Sequence, residues 1–382
     1  MKNVFLLPFL FGLFLSLSAD AQLTIRGKVE EEGTGETLPY ATVVIEGTSR
    51  GTTTNVDGFF TLLDVNTKDV TLKITYIGFE ALVMALPDNY QGDILRIEMK
   101  PLSAELKEVV VTADGYKVLN ATSGVSKSTL STKQLSLLPN IGETDIFRSL
   151  QLLPGVSGTN ENSSGLFVRG GTPDQNLVLL DGMTIYKVDH FFGFFSAFNA
   201  NAVKDVQLYK GAFPAKYGGR TSSVVDLTGK TGSFQKFGGG LNLNFLSVNG
   251  YAEIPVSDKI SILLAGRRSY TDVLRSGLFQ RITENLIGQD NLTNPNIDPA
   301  NITQVQPDFY FYDWNAKVSY KPSINDIVTF NFFNGQDFLD ESRVVNQSNT
   351  RVSILADLGE QTDWGNQGAS LKWSRQWNAK FY

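Results

Sequence analysis

The stretch from Leu166 to Lys230 limits the fold more than any other part of this chain. It holds LFVRGGTPDQNLVLLDGMTIY (166–186) and, after an aromatic loop, VKDVQLYKGAFPAKYGGRTSSVVDLTGK (203–230). Short apolar runs are broken by two glycine pairs, Gly170-Gly171 and Gly218-Gly219, with Arg169 and Arg220 beside them. Apolar runs this short, set between turn residues, read as strands, and the glycines permit tight turns at positive φ. Strands are predicted at Gly165–Arg169, Leu177–Leu180, Val206–Tyr209 and Ser223–Thr228, with a turn at Asp181-Gly182. Two short helices are expected before them, at Ser131–Leu138 and Thr144–Leu153. In the second, Ile146, Phe147, Leu150 and Leu153 recur near helical spacing and Pro154-Gly155 stops the run. Residues 114–230 are therefore predicted to form a small mixed α/β domain.

Before this domain, residues 22–100 alternate on a period of two. Candidate strands are Leu23–Glu30, Ala41–Glu46, Gly51–Thr54, Phe59–Leu63, Val70–Tyr76, Ala81–Leu86 and Ile94–Met99, and turn residues such as Glu32-Gly33-Thr34-Gly35 and Asp57-Gly58 separate them. So many short strands in so little chain predict a β-sandwich. Residues 101–113, PLSAELKEVVVTA, read as a linker ending in a β-prone run, for which the simple alternative is one more sandwich strand.

Residues 231–382 also alternate, but in longer runs. Tyr310, Tyr312, Trp314, Ala316, Val318 and Tyr320 interleave with Asp313, Asn315, Lys317 and Ser319, while Phe309 and Phe311 break the rule near one end. Ala369, Leu371 and Trp373 alternate with Ser370, Lys372 and Ser374. One apolar and one polar face is the pattern of a transmembrane barrel strand, although a soluble sandwich gives it too. Connection lengths favour the barrel. Short turns near Pro255–Lys259, Lys321–Asp326 and Gln376–Lys380 alternate with long polar loops at 272–306 and 339–365. Strands are expected at about 236–246, 248–256, 259–271, 307–320, 326–338 and 365–376, with the short turns on the periplasmic side and Tyr382 opening a seventh strand.

Residues 1–21 read as a secretory signal peptide: Lys2, an apolar stretch from Val4 to Leu17, and the cleavage site Ala19-Asp20-Ala21. That run is too short to span a bilayer as a helix. No other segment is long and apolar enough, so membrane insertion is expected only as a barrel. A net charge of −6 gives no electrostatic reason to expect nucleic-acid binding. The absence of cysteine excludes disulfides, thiol catalysis and a lipid-anchored N-terminal cysteine. The single histidine, His190 in VDHFFGFFSAF, has no second histidine for a zinc pair and lies among phenylalanines, which marks it as structural. No G-x-S-x-G elbow, P-loop or dinucleotide fingerprint occurs. No enzyme activity, cofactor or metal site is expected, and any active transport needs energy from a partner.

The ordered set LLPGV, FVRGG, NLVLLDG, VQLYKGAFPAKYGGR and SSVVDL resembles the plug domain of TonB-dependent outer-membrane receptors. The front domain, with IRGKV and GETLPYATVVIEGTSRGTTTNVDGFFTL, resembles the carboxypeptidase-regulatory-like, transthyretin-like module common at the front of Bacteroidetes receptors, a binding or spacer element rather than a peptidase. The resemblance implies a mainly β protein of the cell outer membrane with a signal peptide, a periplasmic sandwich, a plug and a barrel of 22 strands in full, of which this chain would hold the first. It implies a TonB box in Glu108, Val109, Val110, Val111, Thr112 and Ala113, an extended segment able to add as a strand to TonB. It also implies that Arg169 and Arg220 pair with acidic residues of the inner wall and lock the plug, with Gly170, Gly171, Asp181, Gly182, Gly218 and Gly219 forming its turns. Without that resemblance the two arginines are ordinary surface residues.

The implied function is import of an extracellular nutrient (siderophore, cobalamin, glycan or peptide) driven through TonB and the ExbB–ExbD motor, with outer-membrane lipid as the surrounding partner. LFVRGGTPDQNLVLLDGM departs from the pattern of SusC-type glycan importers, so a surface lipoprotein lid is not indicated. The loop Tyr186–Asn199 is open to two readings, an approach to the ligand site or core. The alternatives to a transporter are a passive outer-membrane adhesin or structural protein with a sandwich domain, and an exported enzyme with an unrecognised catalytic unit.

Overall fold

The fold is that of a computed structural model. The residues it describes are 23–65, 70–102, 126–136, 138, 143–158, 165–190, 193–281, 302–303, 308–340, 342–348, 353–378 and 382. The signal-peptide segment and the candidate box Glu108–Ala113 lie outside them.

Seven strands build the sandwich: β1 (Leu23–Glu31), β2 (Thr42–Ile45), β3 (Gly51–Thr53), β4 (Phe59–Val65), β5 (Thr71–Thr75), β6 (Leu82–Ala85) and β7 (Ile94–Met99). They form a sheet in the order β4-β1-β7 and another in the order β3-β2-β5-β6. Alternation sends Ile25, Val29 and Ile97 from one sheet and Val43, Leu72 and Ile74 from the other into a shared core, all essentially without exposure.

The second unit runs through β8 (Lys127–Ser131), α1 (Thr132–Leu135), α2 (Ile146–Gln151), β9 (Val156–Ser157), β10 (Phe167–Val168), β11 (Asn176–Leu180), β12 (Met183–Thr184), β13 (Asp189–His190), β14 (Phe195–Ser196), β15 (Val203–Tyr209) and β16 (Ser223–Gly229). Its main sheet has the order β12-β11-β16-β15-β8, with β11 and β16 parallel. Both helices are shorter than their sequence patterns suggest. Ser131, expected inside the first, ends β8 and caps α1 in a reciprocal pair with Gln134. Asp145 caps α2 by accepting from the Arg148 amide, and its other oxygen accepts from the Ser196 amide at 2.7 Å. Ile146, Phe147 and Leu150 of α2 pack on one face of the sheet, against Leu130, Val178, Leu180, Val206, Leu208, Val225 and Leu227. The other face carries Thr129, Asp205, Gln207, Asp226 and Thr228, brought side by side by the strand register. A plug sheet with one apolar and one polar face needs a polar cover.

The third unit is a wall. Strands β17 (Gly238–Leu243), β18 (Ser247–Ser257), β19 (Ile260–Ser269), β21 (Asp308–Tyr320), β22 (Asp326–Asp340) and β25 (Gln361–Arg375) pair antiparallel in that order. Beside them, β20 (Ile302–Thr303), β23 (Arg343–Ser348) and β24 (Ser353–Leu358) make a small sheet. The segment 339–365, expected as a loop, thus contains a hairpin, and β22 and β25 extend into its ends.

Register aligns Ile254, Ile262, Val318, Phe330 and Leu371 in one row across five strands. Val318 is 36% exposed, Phe330 45% and Leu371 75%. Trp373 and Tyr320 lie toward one end of this band and Trp314 toward the other. Beyond Trp314 the same face turns polar, where the Tyr312 hydroxyl meets Gln336 at 2.7 Å. An apolar band between aromatic rows is the lipid-facing surface of an outer-membrane barrel. The opposite face, with Arg267, Asp313, Lys317, Phe333 and Asp337, is buried against the plug.

Candidate functional site at the plug–wall interface

The turn Asp181-Gly182 follows β11, with φ of 48° and 82°. The asparagine-like left-handed backbone at Asp181 aims its carboxylate along the sheet end, where it accepts from the Gly229 amide at 3.1 Å. The Lys317 ammonium of β21 completes the knot, 3.0 Å from Asp181 Oδ1 and 3.1 Å from the Gly229 carbonyl. Any side chain at Gly229 would overlap Asp181, since a Cβ there would lie 2.5 Å from Oδ2. Two strands over, on β25, the Ser370 hydroxyl donates to the Asp181 carbonyl. Asn366 then accepts from the amides of Tyr186 and Lys187 and donates to the Lys187 carbonyl at 2.6 Å. A single wall side chain thereby satisfies three backbone groups of the plug.

A second cluster is built from β13, β19, β21 and β22. Arg267 donates to Asp313 at 2.7 Å, to Glu143 and to the Ser196 carbonyl at 2.7 Å. His190 places Nδ1 2.7 Å from Asp337 and Nε2 3.4 Å from Asp313, with its ring stacked on Phe311 at 4.4 Å. Burial alone pushes the His190 pKa down, but the two carboxylates outweigh it and the opposing Arg267, so the net shift is upward. His190 is thus a structural bridge, as its sequence context indicated. Of the aromatic loop's described residues, Phe194, Phe195 and Phe198 are buried as core, whereas Tyr186 at its start is 79% exposed. Phe333 of β22 enters the plug's own apolar cluster.

The sequence-predicted residues fall in three places. Gly170, Gly182 and Gly219 take positive φ. Gly171 serves close approach instead, because a Cβ there would lie 2.1 Å from Ser222 Oγ, and Gly218 has open space. Arg169 itself adopts φ 48°, which ends β10 at Val168, short of the strand expected through Arg169. Arg220 is exposed and donates to the neighbouring Gly219 carbonyl. Among the described residues the plug–wall ion pairs at Asp181 and Glu143 have the acid on the plug and the base on the wall. The participants Glu143, Arg267, Asp313, Lys317 and Asn366 were not singled out in the sequence. Lys317 and Asp313 did carry a signal, as charged residues on the inward phase of an alternating strand.

A plug sheet seated by polar and ionic contacts on the inner face of a lipid-facing antiparallel wall defines the class of plugged outer-membrane receptors. Residues 25–111 match the family model of the CarboxypepD_reg-like domain, and residues 120–225 match that of the TonB-dependent Receptor Plug Domain. TonB-dependent receptor P26 of Formosa agariphila is 27% identical over 355 residues, 87% of this chain and 32% of that protein. TonB-dependent receptor SusC of Bacteroides thetaiotaomicron is 30% identical over 241 residues, 59% of this chain and 23% of that protein. Residues 120–225 thus carry the plug domain of TonB-dependent receptors, and the chain spans less than a third or about a quarter of these two relatives. Among solved structures, a ferric enterobactin receptor mutant from Pseudomonas aeruginosa is 15% identical at a TM-score of 0.42, covering 66% of this chain and 38% of that one.

Proposed function

We propose that this chain forms the periplasmic domain, plug and first wall strands of a receptor that binds an extracellular nutrient and imports it on energy delivered by TonB, with ExbB–ExbD as the motor. It is read as a transporter and not an enzyme. The observation that carries the proposal is the polar seat of the plug. Asp181, Glu143 and His190 hold it to the wall through ion pairs and hydrogen bonds rather than through one continuous apolar interface. Polar contacts of this kind are exchanged for water at small net cost, so the plug is fixed at rest yet able to rearrange under load.

The TonB box is assigned to Glu108, Val109, Val110, Val111, Thr112 and Ala113, a β-branched run suited to strand addition. Arg169 and Arg220 are assigned to acidic partners on the inner wall, adding to the lock formed at Asp181. The nutrient class stays as broad as siderophore, cobalamin, glycan or peptide. The deciding experiment is binding of the TonB C-terminal domain to a peptide spanning Glu105–Tyr116, compared with its Val110→Pro variant. Saturable binding lost with proline is the expected result. No binding to either peptide overturns the box and favours a passive outer-membrane protein.

A further inference from the structure

The sandwich does not hang free. Its turn after β1 wedges between plug and wall. The Thr34 carbonyl accepts from the Phe234 amide at 2.8 Å, the Gly35 carbonyl accepts from Lys321 at 2.7 Å, and Glu36 accepts from the Thr231 amide at 3.0 Å. Three ion-pair clusters surround this wedge. Lys204 of the plug lies 2.5 Å from Glu36 and 3.2 Å from Glu31. Lys321, in the turn between β21 and β22, lies 2.5 Å from Glu30. Lys372 of β25 lies 2.7 Å from Asp57, whose other oxygen accepts from the Tyr382 hydroxyl at 2.5 Å.

In each pair that crosses the interface the acid comes from the sandwich and the lysine from the body beneath it, and Glu30 also meets Lys28 and Arg96 of its own domain. The sandwich also supplies the polar cover that the plug sheet needs. Tyr40 stacks over Lys127 at 5.2 Å and bonds to Thr228, while Asp205 and Gln207 are buried beneath. An interface whose two sides are both polar and oppositely charged docks firmly, yet exposes little apolar surface when it parts.

Chain connectivity adds direction. The described residues of the sandwich run to Leu102 and those of the plug start at Ser126, with the proposed box between them in sequence. Leu102 to Glu108 spans at most about 21 Å of extended chain and Ala113 to Ser126 about 45 Å. A pull on the box therefore tightens on the sandwich first. The load enters through β7, which pairs in parallel with β1, the strand that carries Glu30 and Glu31.

We infer that the N-terminal sandwich is an electrostatically latched cap across the periplasmic side of plug and wall, and that its release precedes plug movement. The release step rests on the import reading above; the latch itself does not. The test is a spin-label distance measurement between Asp88→Cys and Asp258→Cys, two exposed positions on the cap and on the β18–β19 turn, in the full receptor. The 382 residues contain no cysteine to interfere.

One narrow distance is expected for the otherwise native chain, and a broad, longer distribution for the variant Lys204→Gln/Lys321→Gln/Lys372→Gln. The charge exchange Asp57→Lys/Lys372→Asp should keep the narrow distance, which separates loss of the latch from loss of folding. Adding TonB C-terminal domain to the native receptor should populate the long distance. A broad distribution in the native chain, or a triple variant as narrow as the native, overturns the latch. If the domain binds the receptor and the distance stays short, cap release as a transport step is overturned. If the domain does not bind at all, the import reading fails, and the charge variants still report on the latch.

Discussion

Asp181 and Lys317 are joined at 3.0 Å inside the wall, one from a left-handed turn of the plug and the other from the inward phase of β21. The pair is well buried, with 13% and 7% of the two side chains exposed. Removing one partner of such a pair strands the other, at a cost on the order of 3 kcal/mol. Lys317→Met is expected to reduce hydrogen-exchange protection of the β11 amides by about a hundredfold. Adding Asp181→Asn should recover much of it, because the stranded charge is then gone. Equal protection in all three proteins would show that the pair does not seat the plug.

The two phases of β22 give a second test. Phe333 is fully buried in the plug's apolar cluster, whereas Phe330 faces lipid at 45% exposure. Phe333→Ala is expected to loosen the plug by about 3–5 kcal/mol through the cavity it leaves. Phe330→Ala should change plug stability by less than about 1 kcal/mol. Limited proteolysis of the plug in membrane vesicles would rank the two, and the reverse order would mean that the strand faces are assigned wrongly.

The first glycine pair separates two reasons for a glycine. Gly170 needs a backbone at φ 85° with open space around it, so Gly170→Ala is expected to cost about 1–2 kcal/mol. Gly171 instead has Ser222 where its side chain would go. Gly171→Ala should be the more damaging, and Gly171→Ala/Ser222→Gly should regain part of the loss. Thermal unfolding of the four proteins measures the ordering.

Asp205 predicts a pH dependence. Burial raises its pKa from 3.8 to about 8, with Lys127 opposing and Asp226 adding to the rise. The folded state thus holds the proton more tightly than the unfolded chain. The stability this confers is complete below about pH 4 and is lost as pH rises through about 8. Asp205→Asn should remove the slope, giving a thermal midpoint a few degrees above the native protein at pH 8 and a smaller gap at pH 5. Parallel curves for the two proteins would contradict the buried, protonated carboxyl.

Glu30 predicts the opposite slope at the cap. Burial alone would raise its pKa, but Lys28, Lys321 and Arg96 outweigh it and bring the value from 4.5 to about 2. Its contribution is complete above about pH 4.5 and is lost as pH falls through about 2. Acid titration of the cap-to-wall distance is expected to show release over that window, and Glu30→Gln should weaken docking at neutral pH while flattening the acid limb.

Local signals in the sequence translated directly into structure. Period-two alternation gave the sandwich and wall strands, because each strand has one face to bury and one to solvate or lipidate. The Ser131–Gln134 capping box and the stop at Pro154-Gly155 delimit short helices for equally local reasons. The partners in the candidate site were harder to read. Asp181 was visible as a turn residue, but nothing near it in sequence shows that Lys317 meets it 136 positions later. His190 was legible as buried by its phenylalanine neighbours, whereas Asp337, 147 positions away, is what fixes its ring. The hairpin within 339–365 was not legible because its strands, RVVNQS and SILADL, group apolar residues side by side instead of alternating them on a period of two.

The bond between Lys372 and Asp57 joins residues 315 positions apart. The sandwich has its own apolar core and the makings of an early, independently folding unit. Its seat is incomplete until β25 has been laid beside β22, so full docking comes late in biogenesis whatever the folding rate of the front domain. The Asp57 contact is therefore a built-in inspection point: a chain whose wall has failed to assemble leaves its first domain folded, charged and adrift in the periplasm, open to proteases that a finished receptor would exclude.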